Sequence, residues 1–321
     1  MNERSASSFG RRFGAPAAMV LALLAAPCAL SRAGDAATHT PATAPPSIAI
    51  TLDDLPFVGG LGPGDARPAA TGRILEALRR HRVPATGFVV CQRIDDNPGL
   101  LTLWMQAGLE LGNHSTTHAH LDAVALADWT EDVCGCGERL AALTGARVRW
   151  FRYPFLQTGA AIARRDSALA IVRGCGHEVA HVSVDTGEWV LVKPYVAALE
   201  AGDRDRARAI GEAYIEHLLA AIEHYREIAR ERVGRDVAQV LLLHANALAA
   251  DHLDALLAAI EARGWRFISL AEALDDPVYS LPDLYAGPIG LSWLYRVARA
   301  ADNAWAWDDA QLRALAERFG E

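Results

Sequence analysis

Seven short runs of apolar and β-branched residues punctuate this chain, and between them apolar positions recur at helical spacing. The runs cover residues 47–52, 86–90, 109–112, 148–152, 179–184, 238–243 and 266–270. Helical spacing is clearest over 71–81, 121–143, 159–173, 207–232 and 251–263. Strands alternating with helices predict parallel strands joined by helical crossovers, because a parallel pair needs a connection long enough to hold a helix. Sheets of this kind gather their chemistry at the C-terminal ends of the strands. Two of the runs end in reactive side chains: Leu52 is followed by Asp53-Asp54, and Leu243 by His244.

Two segments stand apart from this alternation. Residues 193–235 are long and mostly helical, with Ile210, Tyr214, Leu218, Ala221, Ile222 and Tyr225 on one face. That pattern predicts a helix covering the side of the sheet rather than a lid. The tail after Pro277 carries Tyr279, Tyr285, Trp293, Tyr295, Trp305 and Trp307. Leu291, Leu294, Val297 and Ala298 lie among them, so packing is expected of these aromatics before sugar stacking.

Composition narrows the picture. A chain of 321 residues, 51% hydrophobic and 22% charged, supports one large buried core. Its net charge of −8 argues against nucleic acid or an anionic membrane surface as a partner. Arg4, Arg11 and Arg12 precede an apolar stretch, Ala17 to Leu30, that is too short for a comfortable membrane span. Ser31-Arg32-Ala33 then offers a small-x-small cleavage site. Residues 1–33 therefore read as a signal peptide and 34–46 as a Pro/Thr/Ala linker. This implies a periplasmic or secreted bacterial protein, with no stable membrane insertion after cleavage. Cys91, Cys134, Cys136 and Cys175 remain, and an oxidising compartment favours disulfide bonding with three pairings open.

The most chemically informative residues are His114 and His118, in Asn113-His114-Ser115-Thr116-Thr117-His118. Histidines at i and i+4 point from one side of a helical turn, so both rings can converge on one metal. A carboxylate from Asp53-Asp54 would complete a facial triad and leave positions open for water and substrate. Spacing alone does not rank the two aspartates.

Further along come Phe151-Arg152-Tyr153-Pro154-Phe155, Asp185-Thr186-Gly187-Glu188-Trp189 and Leu241-Leu242-Leu243-His244. In order and spacing these motifs resemble the polysaccharide deacetylases of carbohydrate esterase family 4, the NodB-homology group, over roughly Ser47 to Pro277. The family patterns are T-F-D-D-G, H-[ST]-x-x-H, R-x-P-[YF]-G, D-x-x-D-W and L-L-x-H. Here Leu55 and Leu156 stand where glycine is usual, and Glu188 replaces the aspartate before Trp189. The resemblance implies an α/β distorted (β/α)7 barrel, with a catalytic domain over 47–277 and a C-terminal helical extension over 278–321.

It also implies roles. Asp54, His114 and His118 would hold one divalent ion, for which neutral imidazoles and a carboxylate suit zinc. Asp53 would be the base, aimed and kept ionised by Arg152. His244 would be the acid, held and charged by Glu188. Phe155 would supply a backbone N–H to the oxyanion, and Trp189 would shape the substrate site. The expected reaction is removal of an N- or O-acetyl group, from a saccharide before any other substrate. Two alternatives stand beside it. One is an amidohydrolase of a small non-sugar amide, with Leu55 and Leu156 narrowing the mouth. The other is a carbohydrate-binding pseudoenzyme. His120, His177, His181, His217, His224 and His252 match no motif and read as structural.

Overall fold

The computed structural model describes residues 45–297 and 306–320. The expected signal peptide and all but the last two residues of the expected linker lie outside the described residues, as do Ala298 and Trp305.

The strands are β1 (Ser47–Leu55), β2 (Thr86–Val89), β3 (Glu110–Asn113), β4 (Trp150–Phe151), β5 (Glu178–Val179), β6 (Gln239–His244) and β7 (Arg266–Phe267). The helices are α1 (Arg67–Arg80), α2 (Cys91–Asp96), α3 (Pro98–Gln106), α4 (Leu126–Thr144), α5 (Ile162–Gly174) and α6 (Val192–Glu200). They continue with α7 (Arg204–Val233), α8 (Ala247–Ala262), α9 (Leu270–Leu274), α10 (Trp293–Arg296) and α11 (Ala306–Phe319).

All pairings are parallel, in the order β5-β4-β3-β2-β1-β6, with β7 against the start of β1. Strands β1 and β6 carry unbroken apolar runs because helices cover one side and the barrel interior fills the other. The run expected as a strand over 179–184 is only partly one. Strand β5 ends at Val179, and the chain rejoins the sheet at Val184, which bridges Leu241 of β6. Val184 N–H donates to Val240 O and Leu242 N–H to Val184 O. This short ladder brings the sheet round from β4 to β6 and closes the distorted (β/α)7 barrel. The run stays apolar because Val182 and Val184 are buried, not because it is regular strand.

Helix α7 covers the barrel side as its apolar stripe predicts, with Ile210, Tyr214, Leu218, Ala221, Ile222 and Tyr225 all buried. Asp203 caps its start and Gly234, at φ 75°, ends it in the left-handed conformation that glycine adopts without strain. The C-terminal aromatics pack: Tyr279, Trp293 and Tyr295 are buried in the same core as the barrel, as are Leu315 and Phe319 of α11. A second, smaller core of Trp129, Val133, Phe151, Tyr153, Ala168 and Val172 lies under α4 and α5. It anchors both sides of Arg152.

The cysteines pair as Cys91–Cys136 and Cys134–Cys175. Together they fasten α2 to α4 and α4 to the end of α5, around strands β3 and β4. Cross-links closing loops of 45 and 41 residues restrict the unfolded chain. Each is worth about 2–4 kcal/mol in that account. Reduction should therefore lower the melting temperature by on the order of 10 °C. An unchanged melting temperature after complete thiol release would contradict this.

Candidate active site

Asp53 and Asp54 are adjacent in a strand, where successive side chains ordinarily point to opposite faces. Here the β1–β2 register shifts between Leu52 and Leu55, and Asp54 adopts φ 68°. The irregularity turns both carboxylates toward the same end of the barrel. On the other side of β1 the register stays regular and pairs Asp53 with His244 of β6.

The histidine segment differs from expectation. Residues 114–118 form no helical turn but a loop after β3, with Ser115 at φ 65° and His118 at φ 59°. Two left-handed residues fold the loop back, and the rings still converge, with centroids 4.9 Å apart. Three bonds hold this shape. Asn113 Oδ1 accepts from Ser115 N–H at 2.8 Å, Ser115 Oγ accepts from His118 N–H at 3.0 Å, and Asp132 Oδ1 accepts from Thr117 N–H at 2.8 Å.

One ligating atom each from Asp54, His114 and His118 lies within 4.8 Å of the others. His114 Nδ1 lies 2.8 Å from Arg152 O, a pure acceptor, so Nδ1 carries the proton and Nε2 presents its lone pair. Burial pushes both imidazoles down to about 4, which leaves them neutral and able to ligate at ordinary pH. His118 Nε2 stands 3.5 Å from Asp54 Oδ1. His114 Nε2 is 3.6 Å from Asp53 Oδ2, so distance alone does not exclude Asp53 as a ligand. Hydrogen bonding separates the two. Asp53 Oδ1 accepts from Arg152 Nη1 at 3.0 Å, whereas Asp54 Oδ1 is buried with no aligned donor. That oxygen, 3.0 Å from Arg93 Nη1 but without an aligned hydrogen bond, faces two neutral imidazoles and fits a divalent cation. Burial opposes ionisation of Asp54, but nearby His114, His244 and Arg93 outweigh it and hold the carboxyl below its usual range.

Arg152 is fully buried inside the barrel. It donates to Ala180 O, Thr51 Oγ1 and Asp53 Oδ1, and its guanidinium lies 4.2 Å from the Phe88 ring centre. It aims Asp53 but does not keep its pKa low. Burial of the carboxyl exceeds the effect of Arg152 and raises Asp53 above the usual carboxylate range, which makes it a stronger base.

Glu188 follows Gly187, whose φ of 60° opens a short 3-10 turn. Its carboxylate is fully buried and accepts from His244 N–H at 2.9 Å and stands 3.0 Å from His244 Nδ1. The longer side chain thus reaches both the backbone and the ring. Burial by itself would depress His244, but Glu188, with Asp54 and Asp53, pushes it up to about 9.

Phe155 and Trp189 stand at the rim, 56% and 60% exposed. Phe155 sits at φ 56° with its ring centre 4.5 Å from that of His118, and Leu156 follows at φ 53°. The turn that usually contains glycine therefore keeps a left-handed conformation with leucine in it. Leu55 does not narrow the mouth. It is fully buried against Gly87, whereas Leu156 is half-buried beside Tyr153, His181 and Trp293.

Of the unassigned histidines, His177 bonds Val148 O and His217 bonds Thr186 O. The sequence analysis did not single out Asn113, Asp132 and Arg93, which bond the histidine loop and the Asp54 carbonyl. Asn113 at a strand end carried a usable signal, since asparagine readily bonds the backbone two residues on. Asp132 and Arg93 carried none, because their partners are distant in sequence.

Residues 40–179 match the family model described as polysaccharide deacetylase. This range contains the aspartates, the histidine loop and Arg152 but not Glu188 or His244. A chitooligosaccharide deacetylase of Sinorhizobium fredii is 31% identical over 148 residues, spanning 46% of this chain and 61% of that protein. A peptidoglycan-N-acetylmuramic acid deacetylase of Bacillus subtilis is 29% identical over 108 residues, spanning 34% of this chain and 21% of that protein. The chain thus spans less than two thirds of either relative. Among solved structures, a CE4 family pseudoenzyme from Bacillus anthracis aligns with a TM-score of 0.51 at 20% identity, covering 72% of this chain and 66% of that one. This last likeness concerns the fold alone.

Proposed function

We propose, from the premise that the chain belongs to the polysaccharide deacetylase family, that it is a metal-dependent hydrolase removing acetyl groups from a saccharide. The observation that carries this reading is the convergence of three parts. A two-histidine, one-carboxylate cluster lies beside a buried base and a charged acid, and strand register places Asp53 opposite His244.

Asp54, His114 and His118 would hold the ion, and their donor set suits zinc. An ion held there would supply Lewis-acid chemistry, polarising a carbonyl and lowering the pKa of a water. Asp53, directed by Arg152, takes a proton from the attacking water. The Phe155 backbone N–H donates to the developing oxyanion. His244 arrives protonated and gives its proton to the departing amine or alcohol. Trp189 offers an exposed ring on which a sugar can stack. Retention of every reacting group favours catalysis over simple carbohydrate binding. With Leu55 buried in the core, its bulk lends no weight to a small cyclic amide.

Acetate release by the zinc-loaded enzyme tests the proposal. Turnover of an N-acetylated chitooligosaccharide or another acetylated glycan is expected, with none on a panel of small cyclic amides. The reverse preference would move the assignment to an amidohydrolase.

We also place the protein in the periplasm or outside the cell. The basic start and short apolar stretch support this, as do two disulfides, which persist in oxidising compartments. Among the described residues no helix is long and apolar enough to cross a membrane. Mass spectrometry of the exported protein should find an N-terminus near residue 34. An intact Met1 would overturn the cleavage.

A further inference from the structure

Arg93 lies on α2 and reaches across to the end of β1. Its Nη1 donates to the Asp54 carbonyl oxygen at 3.2 Å and stands 3.0 Å from Asp54 Oδ1. The first contact secures a backbone held at φ 68°, a conformation that persists in a residue with a side chain only when its surroundings impose it. The second is an ion pair by distance without hydrogen-bond alignment, so Asp54 Oδ1 keeps its lone pairs for another partner.

Helix α2 is itself fastened to the histidine loop. Cys91 N–H donates to Ser115 O at 3.1 Å and Gln92 N–H to Thr116 O at 2.9 Å, while the Cys91–Cys136 disulfide ties the helix to α4. One short element therefore touches both segments that carry the ligands. Arg93 is its arm toward Asp54.

We propose that Arg93 is a positioning residue of the metal site, locking Asp54 in its left-handed conformation so that the carboxylate stays in reach of His114 and His118. The inference rests on the metal-site reading above. A guanidinium beside a ligand also repels a cation, and the two effects oppose each other. The Arg93 side chain is 25% exposed, so solvent and salt weaken the repulsion. The hydrogen bond to the Asp54 carbonyl is short-ranged and directional, and its loss frees the backbone. Positioning therefore wins.

The test uses the full chain stripped of metal, titrated with Zn²⁺ against a chromophoric chelator and, separately, with Co²⁺ followed by visible absorption. Arg93→Ala should bind zinc about 10–100-fold more weakly, the usual effect of losing a residue that orients a ligand. Its Co²⁺ spectrum should shift, which a merely structural loss elsewhere would not produce. Arg93→Lys keeps the charge as a single point donor and should recover only part of the affinity. This variant carries the test if the alanine protein does not fold. Zinc affinity in Arg93→Ala equal to or tighter than wild type, with an unchanged Co²⁺ spectrum, would overturn the proposal. Tighter zinc binding by Arg93→Gln, which removes the charge, would overturn it too, since repulsion would then outweigh positioning. If instead wild type and His118→Ala bound zinc equally weakly, the metal site itself would fall.

Discussion

Replacing either His114 or His118 by alanine should remove most bound metal and most activity in one step. The three ligating atoms form a minimal protein set, and two remaining donors do not retain a catalytic zinc tightly. Activation of carbonyl and water by such an ion is worth several kcal/mol. Its loss therefore corresponds to a rate decrease on the order of 10³-fold or more. The double variant should be no worse than either single one, because each alone already destroys the site. Metal content by elemental analysis and acetate release on the same samples check this. Stoichiometric zinc with full rate in His118→Ala would show that the ligands lie elsewhere.

The acid and base should separate cleanly from the ligands. Asp53→Asn and His244→Ala should keep bound metal yet lose roughly 10²–10⁴-fold in rate, the usual worth of positioned proton transfer. The pH dependence follows from the two environments. In the proposed mechanism His244 works only while protonated; Glu188 pushes it up to about 9 in the metal-free protein, so activity is present at lower pH and falls as pH rises through the pKa of His244. In the proposed mechanism Asp53 works only while ionised, so activity falls at low pH as the carboxyl takes up its proton; burial raises that carboxyl in the metal-free protein. In Glu188→Gln the anion that raises His244 is gone while the burial that depresses it remains. The alkaline limb should then move to lower pH. An unmoved limb would sever the link between Glu188 and His244.

Much of the barrel was legible because its strands are buried on both faces and read as unbroken apolar runs. Strands β1 and β6 are the clearest cases, and the carboxylates and His244 at their ends followed from the same pattern. Less legible were features set by contacts between distant residues. The chain from Val179 to Val184 is apolar because it crosses the core to bridge β6, so composition overstates its regularity. Helices α2 and α3 escaped notice because Asn97 and Pro98 break the segment into pieces too short for a periodic signal. The left-handed residues Asp54, Ser115 and His118 carry no glycine to announce them. Arg93, Asn113 and Asp132 bond these segments from outside them or through a side chain, so the expected helical turn between the histidines had no local evidence against it. Leu55 shows the converse error. Its bulk suggested an obstructed mouth, but its direction from the strand sends it into the core against Gly87.

The most direct measurement is the rate of acetate release from an acetylated chitooligosaccharide as zinc is returned to chelator-treated enzyme. The account predicts negligible rate without metal and a linear rise that saturates at one equivalent per chain, with no rise in His118→Ala. Full activity in the metal-free protein, or saturation unaffected by loss of His118, would contradict it.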